Sequence, residues 1–292
     1  ENRQAFLTFG DKSWGSVKVG KDLGIFGSTA ILNDMTLLGV GSQGVVGSSG
    51  GTTTTLGRIG TGYIYADWNG QIAYTTPNMN GLSLTVGVMQ PWNATGSTGV
   101  SELTTGSTDQ FGFQGQGSYS WTGDFAGKVW AGFFTQEVTG MTDGAATPAA
   151  LTSNQSDTAT AYEAGVSATV MNINLVAYGY SGDGVGTTGL LRDGFDTAGN
   201  SRDSDGYYGQ ATYVIPMGTK LGVSYGESKL DLASGEAASA LVKENEMLTI
   251  GAYHPLTKHL NLVAEFSNVE SESHAGLSNE EDKFSVGAIL FF

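Results

Sequence analysis

Apolar residues recur at every second position through most of the chain. Leu82, Leu84, Val86 and Val88 alternate with Ser83, Thr85 and Gly87. Phe111, Phe113, Tyr119 and Trp121 alternate with Gln110, Gln114, Gln116, Ser118 and Ser120. Tyr162, Ala164, Val166, Ala168 and Val170 alternate with Glu163, Ser167 and Thr169. A period of two marks strands with one apolar and one polar face, and helical periodicity is nearly absent. The pattern predicts about thirteen strands, near 3–10, 16–22, 67–77, 81–90, 109–121, 125–137, 157–170, 172–182, 204–216, 219–231, 245–255, 260–271 and 281–292.

The connections carry a second pattern. Tight turns at "GDKSWG", "PNMNG", "TGD", "VMNI", "PMGTK" and "PLTKH" take turns with long polar stretches such as "NATGSTGVSELTTGST" and "TGMTDGAATPAALTSNQS". A soluble sandwich with one solvated face would share the strand pattern but not this alternation of short and long loops. A transmembrane barrel has both, with short periplasmic turns and long extracellular loops. About 9–11 tilted residues per strand are enough to cross hydrocarbon. The chain closes on "EDKFSVGAILFF", with Phe284, Val286, Ala288, Leu290 and Phe292 on one face, a face that lipid would solvate. Trp14, Trp68, Trp92, Trp121, Tyr207, Tyr208 and Tyr253, near strand ends, are expected at the interfacial girdles.

Composition narrows the choice. The chain has 292 residues, 45 of them Gly and none Cys, which excludes a disulfide framework and thiolate metal sites. Charged residues make up 14% and the net charge is −15, so nucleic acid is not an expected partner. The 12 Tyr, 13 Phe and 5 Trp argue for order despite that charge. No run of eighteen apolar residues is present, which excludes a transmembrane helix but not a closed barrel, whose backbone hydrogen bonds are all satisfied by closure.

Specific stretches resemble the Gram-negative general porins. These are "SWGSVKVGKDLGIFG", then "GRIGTGYIYADWNGQIAYTTPNMNGLSLTVGV" with "AYTTPNMNGLSL" at 73–84, Gly20–Lys21, and the final Phe292. The resemblance implies homotrimers of sixteen-stranded transmembrane antiparallel β-barrels, all-β, in the bacterial outer membrane. It implies a passive diffusion channel for small hydrophilic solutes and ions. It sets "RQAFLTFGDKSWGSVKVGK" at the fourth and fifth strands, so that the first three strands of the barrel are expected to be missing from this chain. A fourteen-stranded barrel with one overlooked strand is the other reading of the odd count. The terminal strand is expected to pair with the chain's first strand. Residues 1–292 then form one barrel domain, and 22–66 is the constriction loop folded into the lumen. The Gly/Ser/Thr tract 47–55 would also suit an exposed tip.

Candidate pore residues come from two sources. The resemblance places Lys21 where the family carries a wall arginine, Arg58 on the constriction loop, Asp67 near its end and Asp34 on its negative side. The family's later wall arginine falls near Thr75, so one cationic rung is lost. Alternation alone turns Lys18, Lys128, Glu163, Lys220, Glu265 and Lys283 inward, because Lys or Arg facing lipid at mid-membrane costs about 2–4 kcal/mol. Acidic loops, "SGDGVG", "LRDGFDTAGNSRDSDG", "SGEAASALVKENE" and "SNEED", are expected to face outward, where divalent cations can bridge them to lipopolysaccharide phosphates. Catalysis is not expected. His254, His259 and His274 lie at turns or loops, no G-x-S-x-G elbow occurs, and no cofactor is implied. Alternative functions are a substrate-specific channel for sugars or dicarboxylates, with Trp130, Tyr178 and Tyr180 as candidate inward aromatics, and a non-conducting receptor or adhesion barrel.

Overall fold

The computed structural model describes residues 2–39, 57–96, 103–107, 110–143 and 156–292. The tract 47–55 and the tips of the two long polar stretches named above lie outside them. The elements in order are β1 (Ala5–Asp11), β2 (Gly15–Leu23), α1 (Ser28–Asn33), β3 (Trp68–Thr75), β4 (Leu82–Met89), β5 (Leu103–Ser107), β6 (Gly112–Trp121) and β7 (Phe125–Asp143). They continue as β8 (Ser156–Val170), β9 (Ile173–Asp183), β10 (Asp203–Val214), β11 (Lys220–Leu230), β12 (Val242–Pro255), β13 (Leu260–Ser273) and β14 (Ser278–Leu290).

All pairings are antiparallel between neighbours on one path, β1-β2-β3-β4-β6 and onward to β14, with β5 off the path on β7. The path holds the thirteen strands that alternation predicts, at nearly the expected boundaries. β5 was not expected, because "LTTGS" contains a single apolar residue and shows no alternation. The β13–β14 connection is tighter than expected: the strands pair from Leu260↔Leu290 up to Glu272↔Ser278, so "SNEED" lies within β14.

The outer face is apolar and exposed. Leu7 and Phe9 on β1, Ile72 and Tyr74 on β3, Leu84 and Val86 on β4, and Phe284, Val286 and Leu290 on β14 all stand exposed. A water-soluble fold does not leave a sheet face of this extent uncovered, whereas hydrocarbon solvates it. The expected contact between β14 and β1 is not made. Among the described residues β14 pairs with β13 alone and β1 with β2 alone. Unpaired backbone is not tolerated in hydrocarbon, so a barrel in lipid needs partners at both of these edges.

Turn chemistry is visible where the chain reverses tightly. Asn80 and Gly81 both adopt positive φ, 55° and 101°, and a Cβ on Gly81 would meet the Ser120 carbonyl. Met171 takes φ 54° in the two-residue β8–β9 turn.

Candidate pore constriction

The segment leaving β2 does not run out into solvent. Gly24 N–H donates to the Asp67 carbonyl at 2.9 Å, closing the neck of the segment above the β2–β3 pair. From there the chain lies on the polar face of the sheet. Gln114 Oε1 on β6 accepts from the Ile25 and Phe26 amides at 2.7 and 2.9 Å. Glu163 Oε2 on β8 accepts from Gly27 N–H at 2.9 Å. Thr29 Oγ1 donates to Gln116 Oε1 on β6 at 2.8 Å, while Tyr208 on β10 donates to the Ala30 carbonyl at 2.7 Å. Adjacent residues thus touch strands four places apart, about 19 Å along a flat sheet at ~4.8 Å per strand. The sheet therefore curls around the segment, which makes this face the inside.

Further along, Gln210 on β10 donates to the Asn33 carbonyl and accepts from Met35 N–H, at 3.0 and 2.7 Å. Met35 sulfur lies against Gly222 on β11, and Gly39 lies against the Glu265 carboxylate on β13. The segment thus crosses the inner wall from β6 to β13. Phe26 of the segment joins Phe134, Trp130, Tyr178, Tyr180 and Tyr208 of the wall in a buried cluster. Trp92 joins from the β4–β5 connection, with its ring 5.7 Å from Phe134.

Two predicted site residues hold the segment in place. Arg58 is fully buried. Its Nε donates to Ser224 Oγ, Nη2 to the Ser224 carbonyl on β11, and Nη1 to the Met247 carbonyl on β12, the last at 2.8 Å. Asp34 is buried and accepts from Thr36 N–H at 2.8 Å, Arg58 N–H at 3.0 Å and Tyr63 O–H at 2.8 Å. Neither side chain points into open space, so the geometry does not offer them as opposed charges across a lumen. Asp67 sits at the neck with φ 52°, its Oδ1 accepting from Trp68 N–H at 2.6 Å.

The wall residues divide by face. Lys18 is inward, ion-paired with Asp22 and 4.9 Å above the Phe6 ring. Lys21 has the parity of Val17 and Val19 and pairs with Ala5 and Gly70, which puts it on the outer face, against the expectation drawn from resemblance. Lys128 shares the inner face with Trp130, and Thr75 faces inward opposite Thr85, with their hydroxyls 3.0 Å apart. Glu163 is buried under the segment, bonded also to Gln116 at 3.0 Å and Tyr178 at 3.0 Å. Lys220 lies 4.7 Å over the Tyr253 ring, and Tyr253 donates to Glu265 at 2.6 Å. Lys283, inward on β14, lies 3.7 Å from Glu281.

Several expectations need correction. Trp92, Tyr208 and Tyr253 belong to the inner side instead of the girdles. Trp130, Tyr178 and Tyr180 do face inward, but the segment buries them, so they offer no aromatic track to a solute. The loop 184–202 is not an outward acidic loop. Val185, Leu191 and Phe195 join the inner cluster, Asp193 and Asp196 are buried, and Tyr65 N–H donates to the Thr188 carbonyl at 2.8 Å. Asp193 N–H and the Thr95 carbonyl, 2.7 Å apart, tie this loop to the β4–β5 connection. Arg202 then grips Glu236 of the β11–β12 loop, Nε to Oε2 at 2.8 Å and Nη2 to Oε1 at 2.5 Å. Burial alone would raise the Glu236 pKa, but hydrogen bonds from Arg202 and the Ala233 amide outweigh it and hold the carboxyl below its usual range.

The acidic stretches that hold Glu244, Glu246 and Glu280 do face outward, but on strands instead of loops, where they gather with Glu227, Glu270 and Glu272 into a carboxylate cluster on the outer face. Glu227, Glu244 and Glu246 come within 4.8 Å of one another, and Glu244, Glu246, Glu270, Glu272 and Glu280 line one groove. Strand parity gave the signal: these residues continue the outer row of Tyr225, Leu248 and Phe266 toward the long-loop end.

A sequence model of the Gram-negative porins matches residues 1–274. The chain belongs to the Gram-negative porin family. Solved structures agree in fold. The outer membrane channel DcaP of Acinetobacter baumannii superposes with TM-score 0.69 at 14% identity, covering 94% of this chain and 71% of that one. Salmonella typhi OmpF, solved with daunomycin, gives 0.61 at 17% identity over 99% of this chain and 77% of that one. The anion-selective porin from Comamonas acidovorans gives 0.59 at 14%, over 99% and 76%. No curated protein matches the chain. This porin is an outer-membrane β-barrel channel through which small solutes diffuse passively.

Proposed function

We propose that the segment between β2 and β3, through its described residues 22–39 and 57–66, narrows the lumen of this porin and sets its size limit. The observation that carries the reading is the Arg58 clamp to Ser224 and Met247, across the barrel from the Gln114 and Glu163 anchors. A segment fastened at both sides supports a fixed narrowing. Small hydrophilic solutes and ions cross by sieving, with electrostatic bias from inward wall groups. Because Asp34 and Arg58 are bonded into the wall, that bias falls to Lys18 with Asp22, Lys128, Lys220 and Lys283. No covalent step is involved.

A trimer form is described for the similarly folded OmpT of Vibrio cholerae, with TM-score 0.57 and 14% identity; we extend the homotrimer to this chain. The outward carboxylates near the long-loop end suit divalent cations bridging to lipopolysaccharide phosphates, with bilayer lipid covering the apolar band below. Planar-bilayer recording tests the constriction. Deleting residues 28–39 is expected to raise the unit conductance of the open channel, and an unchanged unit conductance would contradict the reading.

A further inference from the structure

The narrowing segment shows the lumen an unusual surface. Among its described residues, 22–39 and 57–67, only Leu32 and Leu38 are exposed, at 68% and 49%. Of the titratable side chains in the same stretches, Asp22, Asp34, Arg58 and Tyr63 are buried, and Tyr65 and Asp67 are half-buried. The anchors explain why. Thr29, Ala30, Ile31, Met35 and Thr36 turn to the wall, and the backbone is fastened at Ala30, Asn33 and Met35. Leu32 lies between these fastenings, and its side chain stands off the wall. Leu38 does the same between Met35 and Gly39, where Gly39 abuts Glu265. The segment lies on the inner face, so the space they enter is the water-filled channel.

We propose that Leu32 and Leu38 are specificity-determining residues. They make the constriction favour solutes that carry an aliphatic or aromatic face over equally large, uniformly polar ones. This rests on residues 22–39 and 57–66 being the narrowing. A passing apolar face that covers the leucines removes both surfaces from water, which lowers its barrier relative to a polar solute that leaves them wet. A contact of a few tens of Å² at ~25 cal/mol per Å² gives about a threefold preference.

The test uses the full-length porin in liposomes and two zwitterionic amino acids of nearly equal mass, leucine and asparagine, neither of which crosses lipid readily. Swelling rates should favour leucine about threefold, and the double variant Leu32→Ser, Leu38→Ser should bring the ratio to about one, with potassium chloride current still present, at the same or a higher unit conductance, to report an open channel. Leu32→Met, which keeps an apolar side chain, should keep the preference. Heat-modifiable gel migration reports folding of each variant. Equal rates in the unaltered porin, or a preference that survives the double serine variant, overturn the proposal while leaving the channel reading intact. Absence of both swelling and current overturns the channel reading and the proposal together.

Discussion

The inner faces of β8 and β14 read alike in sequence and differ in the folded porin. On β8 the inward positions Ala159, Ala161 and Glu163 are buried, covered by the segment from β2 and by the 184–202 loop. On β14 the inward positions Glu281, Lys283, Ser285 and Gly287 are half-exposed along the whole strand. Alternation assigns each residue to a face in both strands. What covers that face is decided by chain from elsewhere: Gly27 on Glu163 joins residues 136 apart. The inner face therefore has a dry sector, about β6 to β13, and a wet one at β14, β1 and β2, beside the two unpaired edges. The dry sector holds the narrowing, and the wet sector leaves room for solutes.

Substitutions should separate the two sectors. The largest effect is expected at Arg58→Ala, which leaves the Ser224 and Met247 carbonyls buried without their donor. It should cost about 3 kcal/mol, read as a lower thermal midpoint, with a raised and noisier unit conductance. Lysine at this position should not restore stability, because an ammonium cannot span the three acceptors. A thermal midpoint unchanged in Arg58→Ala would break the claim that this clamp holds the segment.

Glu163→Gln is expected to be milder. The amide keeps one acceptor oxygen for the three donors Gly27, Gln116 and Tyr178, so at least one bond is lost at about 1–2 kcal/mol. Equilibrium unfolding in urea and detergent reads this directly.

Acid should act next, and at the loops. Glu236 is held below its usual carboxylate range chiefly by Arg202, against the opposing pull of burial. A depressed folded-state pKa gives stability that is present above the unfolded value, about 4.3, and lost as pH falls through the folded value. The thermal midpoint should therefore fall between about pH 5 and pH 3 more steeply in the unaltered porin than in Glu236→Gln. Identical pH slopes would remove the Arg202–Glu236 grip from the account. In the wet sector the expected effect is smallest. Lys283→Ala, whose ion pair with Glu281 is half-exposed at 3.7 Å, should shift stability by less than about 0.5 kcal/mol, while current reversal in a salt gradient moves toward cations.

The same contrast explains what was legible. Strand existence and boundaries followed from alternation, since a period of two over about ten residues has few other readings. Lys21 shows the cost of setting that signal aside: its parity with Val17 and Val19 already marked the outer face, and only resemblance pointed inward. Arg58 and Asp34 are different. Nothing local says whether a loop charge meets water or a wall, because Ser224 and Met247 lie 166 and 189 residues away from Arg58. The 184–202 loop was missed for the same reason, its Val185, Leu191 and Phe195 being scattered among Gly and Asp with no period to read.

The chain contains no cysteine, so single cysteines can report which side of the wall and segment is wet. Leu32→Cys, Ala30→Cys and Val286→Cys, each in an otherwise unaltered porin, would be treated with a charged, membrane-impermeant thiol reagent during single-channel recording. The account predicts that current steps down at Leu32→Cys and stays constant at Ala30→Cys, which faces the wall, and at Val286→Cys, which faces lipid. Block at Val286→Cys with none at Leu32→Cys would contradict it.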